Sequence, residues 1–469
     1  MIELTIDNMT VQAHEGETVL QAALKHGIEI PHFCYHPCLS IAGNCRVCLV
    51  KVDGRPKLMP SCNLEATPGM RIETVSEEVL AARAAVMQFI ILNHPGDCGI
   101  CDKAGECRVQ DYHVRYGEID PVSIEPKHRK PKLYDLSPRI SLDNERCILC
   151  SRCVRFTREV SGSHMLGIVE RGCHSRVARL EGKVFDDPYS DNIISICPTG
   201  ALLSRDFLYK SRVWYLEPVR SVCTGCARCC SVNVWRRRKR WHVRSLGAEK
   251  NAAAYRITPG ENPEINGHWI CNKGFDLHKA MGRPRALAPL IAGRSASVEE
   301  ALQEGMKMLS EAVNPAALIS AHASNEELEA FRIALGSRMR VYTREDHSPQ
   351  PGEVLEDDLL IRADKNPNSR GVRELFGDRP YDATAGHDLV LVWGDLDDYA
   401  PLGKARILHL TSFVPPQGQS ADLLIPISTV FERSGTFTNF EGKANRFDQV
   451  FDKPKLVQHA GELFGGLAA

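Results

Sequence analysis

A multidomain α+β chain is predicted by two contrasts along the 469 residues. All 18 cysteines lie at or before Cys271, among short strand and helix patterns. Beyond Cys271 cysteine is absent, and amphipathic helices alternate with short apolar runs. The front therefore reads as a series of small metal-stabilised domains, and the back as an open α/β sheet with parallel strands.

Composition sets the outer limits. The length suits roughly three or four domains, and 43% hydrophobic with 25% charged residues is enough for a core in each. The net charge of −1 offers no global attraction for nucleic acid or anionic membranes. The longest uncharged apolar stretch, Ala84–Asn93, is far short of a membrane span. Met1–Thr5 carries no basic region, apolar core or cleavage site, so the expected location is the cytoplasm, or the inner face of the membrane where a partner carries the chain there. In that compartment tight Cys-x-x-Cys groupings imply metal rather than disulfides.

In chain order, residues 1–78 predict a small β-rich domain: Ile2–Ile6 and Thr10–Ala13 pair around Asp7-Asn8, and a helix over Thr18–His26 stops at Gly27. Strands follow near Arg46–Val52 and Met70–Thr74. Residues 79–118 form the next domain, whose helix over 79–93 is read from Val79, Leu80, Ala84, Met87, Ile90 and Ile91. Residues 119–137, rich in Pro, Lys and His, read as a linker, with Lys127–Lys130 solvated. Residues 138–215 and 216–275 each hold a further cysteine set. In 276–469, Ser297-Val298-Glu299-Glu300 and Ser324-Asn325-Glu326-Glu327 are capping boxes. Ala316–Ser320, Leu389–Trp393, Ile407–Leu410 and Leu423–Pro426 read as buried strands, and 344–386 as a long loop.

Four ligand sets account for 15 of the 18 cysteines plus one histidine. Thiolates suit iron because soft sulfur donates charge to a cluster. The first set is Cys34-x10-Cys45-x2-Cys48-x13-Cys62, with Gly43 where the chain turns past the metal. Its first interval departs from plant-type spacing, yet the flanking helix and strands are of the β-grasp kind, which predicts a [2Fe–2S] centre; a zinc ribbon is the alternative. The second set is His94-x3-Cys98-x2-Cys101-x5-Cys107. A neutral imidazole in place of a thiolate removes one negative charge and raises the potential; zinc on the same four residues is the alternative.

The third set follows from the two-cluster bacterial run C-x2-C-x2-C-x3-C-P, whose fourth cysteine ligates the other cluster. Cys147, Cys150 and Cys153 open such a run, but its fourth position is Thr157. Cys197-Pro198 ends a second run whose earlier positions are Asp187, Ser190 and Ile193. One cluster has been lost, and Cys197 crosses over to complete a single [4Fe–4S] centre. The fourth set, Cys223-x2-Cys226-x3-Cys230-x40-Cys271, also fits [4Fe–4S], although Cys229 beside Cys230 leaves the third ligand open. Cys38 and Cys173 are left over.

In this order and spacing the sets resemble the large iron–sulfur subunit of respiratory complex I and its relatives in NAD-linked hydrogenases and formate dehydrogenases. The resemblance runs nearly continuously over residues 1–275. It implies one [2Fe–2S] cluster, then a [4Fe–4S] cluster with His94 among its ligands, then two all-cysteine [4Fe–4S] clusters, and it selects Cys230 over Cys229. Trp269-Ile270-Cys271-Asn272-Lys273-Gly274 looks like the cluster that opens molybdopterin oxidoreductases. Asn366–Gly371, Val392–Asp395 and Ser434–Gly442 resemble signatures of the same superfamily. The chain lacks a thiolate for molybdenum after Cys271. Residues 276–469 are therefore expected to be a shortened, metal-free molybdopterin-oxidoreductase-like domain.

The implied role is electron relay within an NAD(H)-linked oxidoreductase, with no catalytic residues of its own. The partners implied are a flavin/NAD-binding subunit, a small [2Fe–2S] subunit and a terminal catalytic subunit: a hydrogenase, a formate dehydrogenase or a quinone-reducing arm. Gly-x-Gly-x-x-Gly and Walker loops are both missing, so no flavin, NAD or molybdenum site is expected here. The alternatives are a formate-dehydrogenase-like catalyst with molybdopterin, and a zinc-binding interaction protein. The run Trp235-Arg236-Arg237-Arg238-Lys239-Arg240-Trp241 admits nucleic-acid binding, but the balanced charge of the rest favours a strand or turn near the fourth set. Glu77-Glu78 and Asp397-Asp398 read as solvated faces.

Overall fold

The structure is a computed structural model that describes residues 1–117, 125–132, 134–242, 253–343, 352–396 and 398–468. The chain divides into two compact units, Met1–Tyr215 and Leu216–Ala469. Of the segments read from sequence, 118–124 and 133 of the linker, 344–351 of the long loop, and Asp397 lie outside the described residues.

In the first unit, β1 (Ile2–Ile6) and β2 (Met9–Ala13) form a hairpin whose turn residues Asp7 and Asn8 both have positive φ, 46° and 67°. Asp and Asn tolerate that conformation, and the twist it imparts suits a two-residue hairpin. α1 (Val19–Lys25) opens with a reciprocal Thr18–Gln21 capping box and is followed by Gly27 at φ 73°. With β3 (Leu49–Val52), β4 (Met59–Pro60) and β5 (Arg71–Glu73) the sheet order is β2-β1-β5-β3-β4, and β1 and β5 run parallel. Leu4, Ile6, Val11, Leu20, Val50 and Ile72 fill its core. Burial of each such side chain contributes about 1.5–3 kcal/mol.

α2 (Glu77–Asn93) and α3 (Arg108–Tyr116) come next. Val79 and Met87 are buried as the periodicity predicts, but Leu80 is exposed. Glu77 and Glu78 lie in the first turn of α2, where carboxylates favour the helix dipole. Residues 125–132 are surface-exposed for most of their length but are not the free linker expected. Lys127 Nζ donates to the carbonyls of Ile91 (2.6 Å) and Leu92 (2.9 Å), satisfying the C-terminus of α2. Lys130 Nζ donates to Ser175 O at 2.7 Å, and Lys132 Nζ to Asp97 at 2.9 Å.

The remaining elements of this unit are β6 (Tyr134–Asp135), β7 (Ile140–Leu142), α4 (Arg152–Glu159), β8 (Leu166–Val169), β9 (Arg176–Arg179), α5 (Asn192–Ile196) and β10 (Leu202–Ser204). From β7 onward the order is βαββαβ, with β7 paired antiparallel to β10 and β8 to β9. β6 joins the edge of this sheet, so residues 134 and 135 belong to it rather than to a linker.

The second unit begins with an antiparallel sheet of β11 (Leu216–Val222), β12 (Ser231–Arg237) and β13 (Arg256–Pro259), followed by the short helices α6 (Asn272–Phe275) and α7 (Leu277–Ala280). The tryptophan-flanked basic run is β12 and the turn after it; Arg236, Arg237 and Arg238 are half-buried, whereas Lys239 and Arg240 are exposed. Arg236 pairs with Glu217 at 3.0 Å and also donates to Val450 O, and Arg238 donates to Leu216 O at 2.8 Å.

The remaining elements are β14 (Leu290–Ile291), β15 (Arg294–Ser295), α8 (Val298–Glu311), β16 (Pro315–Ile319), α9 (Asn325–Ala334), β17 (Arg340–Thr343), α10 (Ser369–Phe376), β18 (Leu389–Trp393), β19 (Arg406–Thr411), β20 (Leu423–Pro426), β21 (Gly435–Thr438), β22 (Ala444–Phe447) and α11 (Ala460–Ala468). Both predicted capping boxes are present, at the starts of α8 and α9. The seven-stranded sheet runs β15-β14-β20-β19-β18-β16-β17, and the neighbours from β20 to β17 pair in parallel. All five residues of β18 are buried, as a parallel strand covered on both faces requires.

The long loop expected over 344–386 is corrected at its centre, where Ser369–Phe376 is helix α10. Its polar start misled the sequence reading. Asn368, fully buried before the helix, donates to Ala323 O (2.8 Å) and accepts from Thr438 N (2.7 Å). The polarity there serves internal hydrogen bonds rather than solvent.

Candidate metal centres

All 18 cysteines are thiols outside any disulfide. The first set is assembled by two left-handed turns, Gly43 (φ 62°) and Arg46 (φ 58°), which fold the Cys34–Cys48 loop back on itself. Ser61 clamps the far side by donating its hydroxyl to Cys48 O at 2.8 Å. The sulfurs touch. Hydrogen bonds from Cys45 and Cys62 pull the Cys34 thiol down, and the same contacts push Cys45 and Cys62 up. Backbone N–H groups of Cys45 and Asn44 also point at Cys34. The set is therefore a preformed nest for a negatively charged group bound through sulfur.

In the second set, His94 caps the C-terminal end of α2. Its Nδ1 is buried without a hydrogen-bond partner, and burial pushes its pKa down to about 4, so the ring is neutral, as a metal ligand must be. Cys101 and Cys107 are buried, whereas Cys98 is exposed. Arg212 holds this loop by donating to Cys101 O (2.6 Å) and to Gly99 O. Gly200 packs so closely that a Cβ there would overlap Cys101 Sγ.

The four sulfurs of the third set, Cys147, Cys150, Cys153 and Cys197, line one small cavity of about 20 Å³. Leu149 (φ 54°) and Ser151 (φ 59°) provide the left-handed turns, and Leu149 N donates to Cys147 Sγ at 3.4 Å. Burial, reinforced by Cys197, pushes the Cys150 thiol up to about 11. Thr157, where a fourth cysteine of the run would stand, is buried and donates to Val154 O at 3.0 Å. Ser190 and Ile193 are likewise buried, and Asp187 accepts from Ser161 Oγ at 3.0 Å.

Three residues of the fourth set lie in the hairpin between β11 and β12, where Cys223 N donates to Cys230 O at 2.8 Å, and the fourth, Cys271, stands at the start of α6. Gly225 N donates to Cys223 Sγ at 3.4 Å. Burial raises both neighbouring thiols, and Cys223 and Cys226 act on each; Cys271 adds to the upward push on Cys230. Cys229 is the left-handed residue of the turn (φ 57°), and its carbonyl accepts from Asn445 Nδ2 at 2.8 Å.

Donor chemistry and burial thus fit iron–sulfur centres. Among the described residues no three His, Cys, Asp or Glu side chains converge on the position of a single metal ion. Cys38 and Cys173 are exposed and stand outside the sets. Arg152, Arg155, Arg212 and Gly200 also shape these sets, and cysteine spacing does not single them out; the one sequence sign for the first two is their place on either side of Cys153.

A second apolar core in the first unit joins residues of three cysteine sets. Phe33, Val47, Met87, Val109 and Tyr112 pack with Cys34, Cys107 and Cys150, one ligand from each of the first three sets.

Three family models match the first unit: a 2Fe-2S iron-sulfur cluster binding domain over residues 1–77, an NADH-ubiquinone oxidoreductase-G iron-sulfur binding region over 83–119, and the ferredoxin-like domain of NADH-quinone oxidoreductase subunit 3 over 137–203. The G-type subunit of NADH-quinone oxidoreductase from Streptomyces coelicolor is 35% identical over 368 residues, 76% of this chain and 42% of the relative. The chain belongs to the family of NADH-quinone oxidoreductase G-type iron–sulfur subunits. Another relative, the NADH-ubiquinone oxidoreductase 75 kDa subunit of Reclinomonas americana, is 34% identical over 87% of this chain and 58% of its own length. The chain thus spans about half the length of the curated relatives it matches. A solved NAD+-reducing [NiFe]-hydrogenase chain is 30% identical, covering 45% of this chain and 91% of that one, at a TM-score of 0.41, too low to bear on the fold. A [2Fe–2S] domain and [4Fe–4S] regions are thereby assigned to this chain of the G-type family. Among the described residues no helix is long and apolar enough to cross a membrane.

Proposed function

We propose that the chain relays electrons in a multi-subunit NAD(H)-linked oxidoreductase. A flavin/NAD-binding subunit and a small [2Fe–2S] subunit stand on one side, and a terminal catalytic subunit on the other. The observation that carries this reading is the shared apolar core of Cys34, Cys107 and Cys150. Redox centres ligated from one dry, rigid core lie close together and undergo little solvent rearrangement as charge moves. Iron–sulfur clusters supply the one-electron chemistry when bound. The protein's own residues set spacing, exclude water and direct N–H groups at sulfur.

In this reading Cys34, Cys45, Cys48 and Cys62 hold a [2Fe–2S] cluster. Three [4Fe–4S] clusters belong to His94, Cys98, Cys101 and Cys107; to Cys147, Cys150, Cys153 and Cys197; and to Cys223, Cys226, Cys230 and Cys271. Cys230 is favoured over Cys229 by the ring of thiols around it. Anaerobically purified chain should contain about fourteen irons with matching acid-labile sulfide. Zinc at about four per chain would overturn the assignment.

Residues 276–469 are proposed to be a shortened molybdopterin-oxidoreductase-like domain without metal, as the missing thiolate after Cys271 implies. One observation favours the alternative of a molybdopterin-bearing catalyst. A cavity of about 1020 Å³ opens beyond the carboxyl ends of β16, β18 and β19, lined by Ser320, Asp395 and Phe413 and by Lys365 and Arg433. Open α/β sheets bind ligands in that place. Molybdenum in the purified chain, or formate-dependent dye reduction by it, would decide for the alternative.

A further inference from the structure

Helix α4 carries two buried guanidinium groups that make no ion pair with a carboxylate among the described residues. Arg152 and Arg155 are each 5% exposed and lie one turn apart on α4. Every hydrogen bond that Arg152 makes ends on a carbonyl next to a predicted ligand. Its Nη1 donates to Ile196 O at 3.0 Å, one residue before Cys197, and its Nη2 to Tyr35 O, one residue after Cys34. Arg155 Nη2 donates to Cys34 O itself and to Cys150 O at 3.3 Å, and its Nη1 reaches Ser40 O. Both side chains therefore touch the loops of the first and the third sets at once. The neighbouring contacts tighten the same seam: Asn44 Nδ2 donates to Leu149 O at 3.1 Å, and Ser40 N donates to Glu159 at 2.8 Å.

An isolated buried charge costs several kcal/mol and persists only against a counter-charge. Here the groups packed around the two guanidiniums are backbone carbonyls and the cysteines of the two sets, so the counter-charge must come from what those cysteines bind.

We propose that Arg152 and Arg155 form one cationic bridge shared by the first and third centres, fixing their mutual position and raising both reduction potentials together. The proposal rests on the iron–sulfur reading of these two sets. A centre gains one negative charge on reduction, and a fixed positive charge in a dry site favours that state. When an electron passes between the two centres, one is oxidised by one electron and the other reduced by one. No bond changes and no proton moves at either arginine. Because the bridge contacts both loops, it lifts both levels and leaves their difference nearly constant.

The test is an EPR-monitored redox titration of the full chain, purified anaerobically, as parent, R155Q, R152Q, R155K and the surface control R332Q. Iron and sulfide are measured in each. In R155Q and R152Q both centres should become harder to reduce. At a fixed ambient potential the reduced-to-oxidised ratio should fall roughly tenfold, equivalent to about 59 mV for a one-electron couple. R155K should stay within a few-fold of the parent, and R332Q should not move. A glutamine variant with full iron and unmoved potentials overturns the proposal, and so does a shift confined to one centre. Should R155Q and R152Q both lose iron, R155K decides: a fall in both potentials as large as tenfold shows that positive charge alone is not what poises them and overturns the proposal. A parent without iron defeats the iron–sulfur reading instead, so the two failures are separable.

Discussion

The two compact units embed the same thiol chemistry in opposite ways. In the first, three ligand sets share one apolar core, and buried arginines bind the loops of one set to those of another. In the second, a single set combines a hairpin turn with Cys271 at the start of α6, and the turn's support is polar. Asn445 Nδ2 donates to Cys229 O and Asn266 Oδ1 accepts from Ser231 N, both at 2.8 Å. The comparison teaches that sharing a core couples sites, whereas a hairpin braced by amides isolates one.

The sharpest way to break this comparison is to remove one thiol from each unit. C226S should lose about four irons per chain and leave the other EPR signals as they were. C150S should lose the same number and also disturb the signals of the first and second sets, because Cys150 packs in the core that holds Cys34 and Cys107. Unchanged signals in C150S would dissolve the contrast.

A smaller effect tests how tightly sets two and three approach. Ala at Gly200 must displace Cys101 Sγ, since its Cβ would also lie 3.3 Å from Lys103 Cβ and 3.5 Å from Arg146 Cδ. G200A should lose most of the second centre's iron while keeping the fourth's. Full occupancy would mean that the seam is softer than its geometry.

In the second unit, N445A leaves Cys229 O without its amide donor and takes one of two amide donors from Ser231 Oγ, which keeps Asn262. Thermal unfolding should show a loss of about 1–3 kcal/mol, with the spectra of the first three sets retained.

The smallest effect concerns pH. Burial alone would raise the carboxyl pKa of Glu159, but hydrogen bonds from Ser40 hold it at about 2 against its usual 4.5. A depressed folded value contributes stability that is complete above the unfolded pKa and lost as pH falls through the folded one. The stability gap between parent and E159Q should therefore be constant near neutrality and close between pH 4.5 and 2. A gap that widens on acidification would contradict the clamp between Ser40 and α4.

Legibility from sequence divided along similar lines. The ligand sets were readable because metal chemistry restricts residue type and spacing over a few positions. The capping boxes of α8 and α9 were readable for the same local reason. Helix α10 was not, because the buried Asn368 before it answers to Thr438, far along the chain. Arg152 and Arg155 were overlooked because an arginine on a helix is solvated by default. Distant segments give them most of their partners: Tyr35 and Ile196 for Arg152, Cys34 and Ser40 for Arg155.

The sequence by itself determined how the cysteines are grouped along the chain, and that the cysteine-free back of the chain is an open α/β sheet. Ligand spacing and strand periodicity are local properties, written within a few residues. Tertiary structure alone decided that Cys34, Cys107 and Cys150 meet in one core, and that two buried arginines lie between the loops of two cysteine sets. Those outcomes depend on where distant segments pack, and packing follows from burial and hydrogen-bond satisfaction summed over the whole unit.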